Sequence, residues 1–154
     1  MPTRMQLMPS TDLRSDTSGQ SLERPPALFV LDDDPDFIEL LCEIARDGGW
    51  VARGFTCLAD LRASLDETIP ALLILDDDVP DGRGGDLAQE LRTNRRMAGV
   101  PLIVCTAAHP MRVAEIVAWA PVVSKPFDLT EIETILVAAA RRHHRSDSYS
   151  RQAG

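Results

Sequence analysis

An apolar run that ends abruptly in acidic residues restricts the fold of this chain more than any other feature. Residues Ala71–Leu75 are five consecutive apolar residues, followed by Asp76-Asp77-Asp78 and then by the turn sequence Pro80-Asp81-Gly82. A short apolar run between turn residues predicts a strand that is buried on both faces, as in a parallel sheet. Because open α/β sheets place their sites at the carboxyl ends of strands, the three acids lie where a site is expected.

Strand and helix patterns alternate five times along the chain. The other predicted strands are Ala27–Leu31, Trp50–Phe55, Pro101–Cys105 and Val122-Val123. The intervening helices are predicted to begin at Asp34-Pro35, after a Thr56 cap, after Gly84-Gly85, near Met111 and at Asp128. This alternation predicts an α/β fold with a doubly wound, five-stranded parallel sheet and helices on both faces.

The composition fits one folded domain with polar ends. We expect a disordered leader at 1–26, a domain at 27–140 and a flexible tail at 141–154 in this chain of 154 residues. The net charge of −8 argues against nonspecific nucleic-acid binding. Three separated cysteines, Cys42, Cys57 and Cys105, form no metal-ligand pattern and are expected to be reduced core residues. Without a membrane-spanning run or a signal peptide, the expected location is cytoplasmic.

Chemically useful residues follow four of the predicted strands. These are Asp32-Asp33, Asp76, Thr106 and Lys125, which would converge at one edge of the sheet. Neighbouring carboxylates need a compensating cation to stay ionised, and their hard oxygens suit Mg²⁺. A lysine and a hydroxyl beside such an ion could hold a phosphoryl group, and a carboxylate can itself be the nucleophile. The pattern predicts a magnesium-assisted phosphoryl site, whereas the three histidines show no ligand spacing and receive no role.

Four motifs in order carry a resemblance to a known family. They are Leu31-Asp32-Asp33-Asp34-Pro35, Leu75-Asp76 with Pro80-Asp81-Gly82, Cys105-Thr106-Ala107, and Lys125-Pro126-Phe127. Together they resemble the receiver domain of two-component response regulators, and the similarity covers residues 27–140. The resemblance implies a flavodoxin-like (βα)₅ fold with strand order 2-1-3-4-5.

The resemblance also implies a role for each matching residue. Asp76 would be the phosphoacceptor, and Mg²⁺ would be held by Asp32, Asp33, Asp76 and the backbone carbonyl of Asp78. Thr106 would bond a phosphoryl oxygen, Lys125 would pair with the phosphoryl group and with Asp76 before transfer, and the Lys125-Pro126 peptide would be cis. From the residues themselves, Asp34 is expected to be a helix N-cap, and Asp77 is expected to point away from Asp76 and take no part.

The sequence departs from the family's pattern in two ways, and both concern the output region rather than the phosphorylation site. The family's aromatic residue three positions before the lysine is replaced by Val122, and the segment between Thr106 and Lys125 is short. We therefore expect the phosphorylation chemistry to be retained and the threonine–aromatic switch to be altered.

The favoured function is a stand-alone receiver that is not an enzyme beyond its own phosphorylation and dephosphorylation. Its expected partners are a histidine kinase or phosphotransfer protein and an unknown output protein, without DNA binding or membrane insertion. A homodimer through the fourth helix, fifth strand and fifth helix stays open. Two alternatives also stay open: a receiver-like domain that binds constitutively without phosphorylation, and a haloacid-dehalogenase-type phosphatase using Asp32 and Asp34. The second lacks the further acidic pair that such enzymes carry after the lysine.

Overall fold

The structure, a computed structural model, describes residues 23–153, so most of the predicted leader lies outside the described residues. The strands are β1 (Ala27–Leu31), β2 (Val51–Phe55), β3 (Leu72–Asp76), β4 (Leu102–Thr106) and β5 (Val122–Ser124). The helices are α1 (Pro35–Asp47), α2 (Leu58–Glu67), α3 (Gly84–Thr93), α4 (Pro110–Ile116) and α5 (Leu129–Gln152). The strands form one parallel sheet in the order β2-β1-β3-β4-β5, which confirms the predicted fold class and strand order.

The sheet separates two apolar layers, and alternate residues of each central strand enter opposite layers. Leu73 and Leu75 of β3 pack with the apolar faces of α2, α3 and α4, whereas Leu72 and Ile74 pack with α1 and α5. All five residues of β3 and all five of β4 are buried. This two-sided burial explains why the central strands are continuous apolar runs, and it places their carboxyl ends at one shared edge.

The first two helices begin in different ways. Asp34 caps α1 as predicted, and its carboxylate accepts hydrogen bonds from the backbone N–H groups of Asp36 and Phe37. The prediction that Thr56 caps α2 is wrong, because the N-cap is Cys57, which makes no side-chain cap. The carboxylate of Asp81, from the loop after β3, instead accepts from Leu58 N at 2.7 Å and Ala59 N at 2.9 Å.

Helix α5 continues to Gln152, through most of the segment from residue 141 for which the sequence predicts a flexible tail. The apolar stripe of α5 ends near Ala139, so no apolar periodicity in the sequence predicts further helix. Beyond it, the hydroxyls of Ser146 and Ser150 donate to carbonyls one turn earlier. His143 Nε2 lies 3.1 Å from the carbonyl oxygen of Arg24, so the extension also contacts the first described residues.

The cysteines differ in burial. All three cysteines are free; Cys42 and Cys105 are buried, but Cys57 is only half-buried, because it is the N-cap of α2 rather than a core residue. Among residues 23–153, no helix has both the length and the apolar character required to cross a bilayer.

Gly84 opens α3 against the end of β3, where a side chain has no room. A Cβ at this position would lie 2.0 Å from the carbonyl oxygen of Asp76 and 2.9 Å from its carbonyl carbon. Both atoms belong to the backbone and cannot rotate away. The glycine therefore lets α3 approach the residue that the sequence predicts as the phosphoacceptor.

Gly84→Ala is expected to lower the free energy of unfolding by about 1–3 kcal/mol, the range for overpacking a tight site. Urea unfolding measures this change. Gly99→Ala is the matched control, since no heavy atom lies within 4 Å of a Cβ there, and its effect should stay within about 0.5 kcal/mol. Equal unfolding midpoints for Gly84→Ala and the wild type would contradict the close approach.

Candidate functional site

Three carboxylates converge at the carboxyl ends of β1 and β3, which are neighbours in the sheet. Asp32, Asp33 and Asp76 each place one carboxylate oxygen within 4.8 Å of the others. Asp32 and Asp76 are buried, with 1% and 6% of their surface exposed, whereas Asp33 is exposed. The three acids predicted from the strand ends are therefore brought together, with one of them open to solvent.

Lys125 brings the compensating charge from the end of β5. Its Nζ lies 2.5 Å from Asp32 Oδ2 and 3.5 Å from Asp76 Oδ2. The sequence predicted pairing with Asp76, but the shorter contact is to Asp32. The ammonium group also lies 4.7 Å from the centre of the Phe37 ring, and the Lys125-Pro126 peptide is cis, as the resemblance implied.

Burial and the neighbouring charges act in opposite directions on the ionisation of Asp76 and of Lys125. Desolvation raises the pKa of the Asp76 carboxyl, and although Lys125 and the Asp78 N–H oppose it, the net direction is upward. Desolvation lowers the pKa of Lys125, but its hydrogen bond to Asp32 and the charges of Asp32 and Asp76 outweigh this and raise it. Lys125 is therefore a fixed cation. Ionising the Asp76 carboxyl costs free energy, because the carboxylate is desolvated.

Thr106 and Asp78, which are also predicted for the site, each form a hydrogen bond with a residue two positions away in the chain. Thr106 ends β4 and is 3% exposed, and its Oγ1 accepts a hydrogen bond from Ala108 N at 3.1 Å. Leu102 and Val104 face the layer of α2, α3 and α4, and Thr106 follows in the same alternation. Asp78 donates its N–H to Asp76 Oδ1 at 3.3 Å.

The donor set at this edge suits a hard divalent cation. Asp32, Asp33 and Asp76 offer carboxylate oxygens, the ligands that Mg²⁺ takes in small number while keeping several waters. Asp33 is exposed, so this group of carboxylates is open to solvent on one side. The residues present therefore fit Mg²⁺.

Asp77 points away from Asp76, as predicted, but its carboxylate makes several contacts. It is fully buried, and its carboxylate accepts from Arg112 Nη2 and Nε, both at 2.8 Å. It also accepts from Gly85 N at 3.0 Å and lies 3.4 Å from Arg83 Nη1. The sequence analysis missed this cluster, because no motif connects residue 77 with residue 112.

The Asp77–Arg112 contact is a buried, bidentate ion pair. Burial raises the pKa of the Asp77 carboxyl, but the hydrogen bonds from Arg112 and Gly85 outweigh burial and lower it. The hydrogen bond to Asp77, together with those to Asp86 and Glu115, outweighs burial and raises the pKa of Arg112. Removing one partner of such a pair typically costs about 3–5 kcal/mol, because the other charge stays buried without compensation.

Comparison with known proteins places the chain in a family. The model of the response regulator receiver domain matches residues 28–137, and the chain belongs to this family of signalling domains. It is 32% identical over 119 residues to the transcriptional regulatory protein GltR of Pseudomonas aeruginosa, covering 75% of this chain and 49% of that protein.

A second relative agrees with this assignment. The probable transcriptional regulatory protein TcrX of Mycobacterium tuberculosis is 29% identical over 126 residues, covering 77% of this chain and 51% of that protein. The chain thus spans about half the length of these two relatives.

Among solved structures, the receiver domain of a LuxO repressor protein from Vibrio parahaemolyticus superposes with a TM-score of 0.71 at 17% identity. That superposition covers 81% of this chain and 97% of the other. A beryllofluoride-activated NtrC4 receiver domain dimer gives a TM-score of 0.68 at 18% identity, covering 76% and 98%. At these identities the superpositions show the fold alone.

Asp76→Asn is expected to stabilise the metal-free protein at neutral pH, because it removes a buried carboxylate. A carboxyl whose pKa is raised by folding binds its proton more readily in the folded state, so stability is lost as the pH rises through that pKa. The advantage of the variant should therefore shrink as the pH falls toward about 4.

Thermal unfolding in chelator at several pH values measures this difference. About 1 kcal/mol corresponds to a shift in Tm of about 2–4 °C in a chain of this size. A variant that is less stable than the wild type at neutral pH would contradict the dominance of desolvation at Asp76.

Proposed function

We propose that this receiver accepts a phosphoryl group on Asp76, with Mg²⁺, from a histidine kinase or a histidine phosphotransfer protein. The observation that supports this most is the convergence of Asp32, Asp33 and Asp76 around the ammonium group of Lys125. A buried carboxylate beside two further acids and one fixed cation is an arrangement suited to a metal-assisted nucleophile.

In the proposed reaction, a carboxylate oxygen of Asp76 attacks the phosphorus of a phosphohistidine. The new P–O bond forms an acyl phosphate as the P–N bond breaks, and the imidazole leaves with the electron pair of that bond. Phosphoryl transfer of this kind depends mainly on positioning and on neutralising charge. The hydrogen bond from Asp78 N to Asp76 Oδ1 fixes the orientation of the nucleophile.

The neighbouring residues hold the charges of the reaction in place. Asp32, Asp33, Asp76 and the backbone carbonyl of Asp78 would bind Mg²⁺, which supplies charge neutralisation at the phosphoryl oxygens. Lys125, held between Asp32 and Asp76, would pair with a further phosphoryl oxygen. Thr106 would give up its contact with Ala108 N and donate its hydroxyl to the phosphoryl group.

The partners and the location follow from the family rather than from the site. We infer a cytoplasmic protein that signals to an output protein through binding, with a homodimer through α4, β5 and α5 as one mode of output. Two relatives carry the names of transcriptional regulators, and the NtrC4 receiver domain is described as a dimer in its activated form. These names support a signalling role and leave the output partner open.

One alternative function retains a specific observation in its favour. Val122 is only partly buried and packs against the layer of α2, α3 and α4, where the family's switch would place an aromatic ring. A receiver-like domain that binds its partner constitutively fits that departure. The phosphatase alternative has less support, because Asp128, which follows the lysine, caps α5 by accepting from Thr130 N.

Beryllofluoride with Mg²⁺, a mimic of an acyl phosphate, separates these functions. The wild type is expected to bind beryllofluoride at Asp76, which fluorine NMR detects as a resonance of the bound species. Asp76→Asn is expected to lose that resonance. Asp34→Asn is the matched control, because this exposed aspartate is an N-cap and asparagine caps equally well. Absence of a bound species in the wild type would exclude phosphoryl signalling and favour constitutive binding.

Asp33→Asn tests the metal separately. Replacing this exposed ligand should weaken Mg²⁺ binding by about tenfold or more without unfolding the protein, since even outer partners of metal sites contribute about 10–100-fold. Isothermal titration with MgCl₂ measures the affinity, with Asp36→Asn, an exposed aspartate in the first turn of α1, as the control. Unchanged affinity in Asp33→Asn would remove this residue from the metal site.

A further inference from the structure

The ion pair between Asp77 and Arg112 links two parts of the molecule that are 35 residues apart in sequence. Asp77 is the peptide neighbour of Asp76, and Arg112 lies in α4. The side chain of Asp77 is 1% exposed and that of Arg112 is 19% exposed. The guanidinium also reaches Asp86 of α3 at 2.9 Å and Glu115 of α4 at 3.2 Å. One arginine thus joins α4 to α3 and to the loop that follows the acceptor.

Gly85 leaves room for the ion pair between Asp77 and Arg112. A Cβ on Gly85 would lie 2.8 Å from Asp77 Oδ1 and 3.0 Å from Arg112 Nη2. The helix itself has little other attachment, because Ile116 is its one buried residue and Met111 is 74% exposed. The position of α4 therefore depends chiefly on Ile116 and on the contacts of Arg112 with Asp77 and Asp86.

The pair lies on the same side of the sheet as Thr106. Asp76 pairs with Cys105 in the register of β3 and β4, so Asp77 and Thr106 each follow that pair by one residue. Thr106 Oγ1 accepts from Ala108 N within the short segment that leads into α4. A movement of the Thr106 hydroxyl toward Asp76 would break this contact and disturb the start of α4.

We propose that the Asp77–Arg112 ion pair holds α4 in its present position, stabilises the arrangement in which Thr106 is bonded to Ala108, and so opposes occupation of the acceptor site. This inference rests on the proposed function, since it concerns the regulation of the same site. The pair would provide the connection between the acceptor and α4 in a chain that has Val122 in place of an aromatic residue.

The two events are then linked thermodynamically. If a phosphoryl group at Asp76 favours release of α4, release of α4 must favour a phosphoryl group at Asp76 by the same factor. Loss of the ion pair should consequently tighten the binding of a phosphoryl mimic. An Arg112 that served only the stability of the fold would leave that affinity unchanged.

The test compares beryllofluoride binding, in saturating Mg²⁺, by the wild type, Arg112→Met and Arg83→Met. Arg112→Met is expected to bind about fivefold or more tightly, the lower range of measured couplings. Arg83→Met is the matched control: it removes the same charge from beside Asp77, but the side chain of Arg83 is 54% exposed and comes from the loop before α3. Its affinity should equal that of the wild type.

Hydrogen exchange of the α4 amides gives a second readout on the same proteins. In the wild type, beryllofluoride should accelerate exchange in α4, whereas in Arg112→Met exchange should already be fast without it. The double variant Asp77→Asn/Arg112→Met removes both charges and keeps an acceptor for Gly85 N. This double variant is expected to show the same tighter beryllofluoride binding and fast α4 exchange that are expected of Arg112→Met. It keeps the test available if Arg112→Met alone folds poorly.

Each result has a distinct meaning. Equal or weaker affinity in both Arg112 variants, or a tightening in Arg83→Met as large as theirs, would overturn the coupling while leaving the phosphoacceptor function standing. A wild type that binds no beryllofluoride would remove the proposed function and the inference together.

Discussion

The burial of Asp32 and Asp76 beside a single lysine is the constraint on which the rest of the site depends. Two carboxylates with almost no exposure repel each other, and the ammonium group of Lys125, held nearer to Asp32, offsets only part of that repulsion. The parallel sheet makes the arrangement possible, because it brings the ends of β1, β3 and β5 to one edge, with the fully buried strand β3 leading to Asp76. A divalent cation held by these carboxylates would relieve the remaining electrostatic cost.

The neighbouring residues Asp76 and Asp77 make their contacts with different parts of the molecule. Asp32, Asp76 and Lys125 lie together at the edge, with Phe37 of α1 against the lysine, whereas Asp77 turns toward α3 and α4. Two adjacent aspartates therefore serve different helices because alternate residues of a strand face opposite ways. The residue proposed as the phosphoacceptor and the residue that contacts α4 are joined by one peptide bond.

Much of this could be predicted from the sequence, and the failures share a cause. Local patterns predicted the five strands, the Asp34 cap and the convergence of Asp32, Asp33, Asp76 and Lys125, since these follow from apolar runs and from parallel topology. The contacts of Asp77 with Arg112 and of Asp81 with α2 were missed, because each joins residues more than 20 positions apart without a periodic signal. The helical extension beyond Ala139 was missed because polar residues that bond along a helix leave no apolar stripe.

The cap that Asp81 gives to α2 has a consequence for the modular use of this domain. The loop after Asp76 is attached at one end to α4 through Asp77 and at the other to the first turn of α2 through Asp81. Its sequence is therefore matched to two helices that lie far from it in the chain. A chimera that received residues 77–82 from another receiver would need Arg112 and the α2 N-terminus to be exchanged with them, so this loop is inherited with its neighbours rather than as an independent cassette.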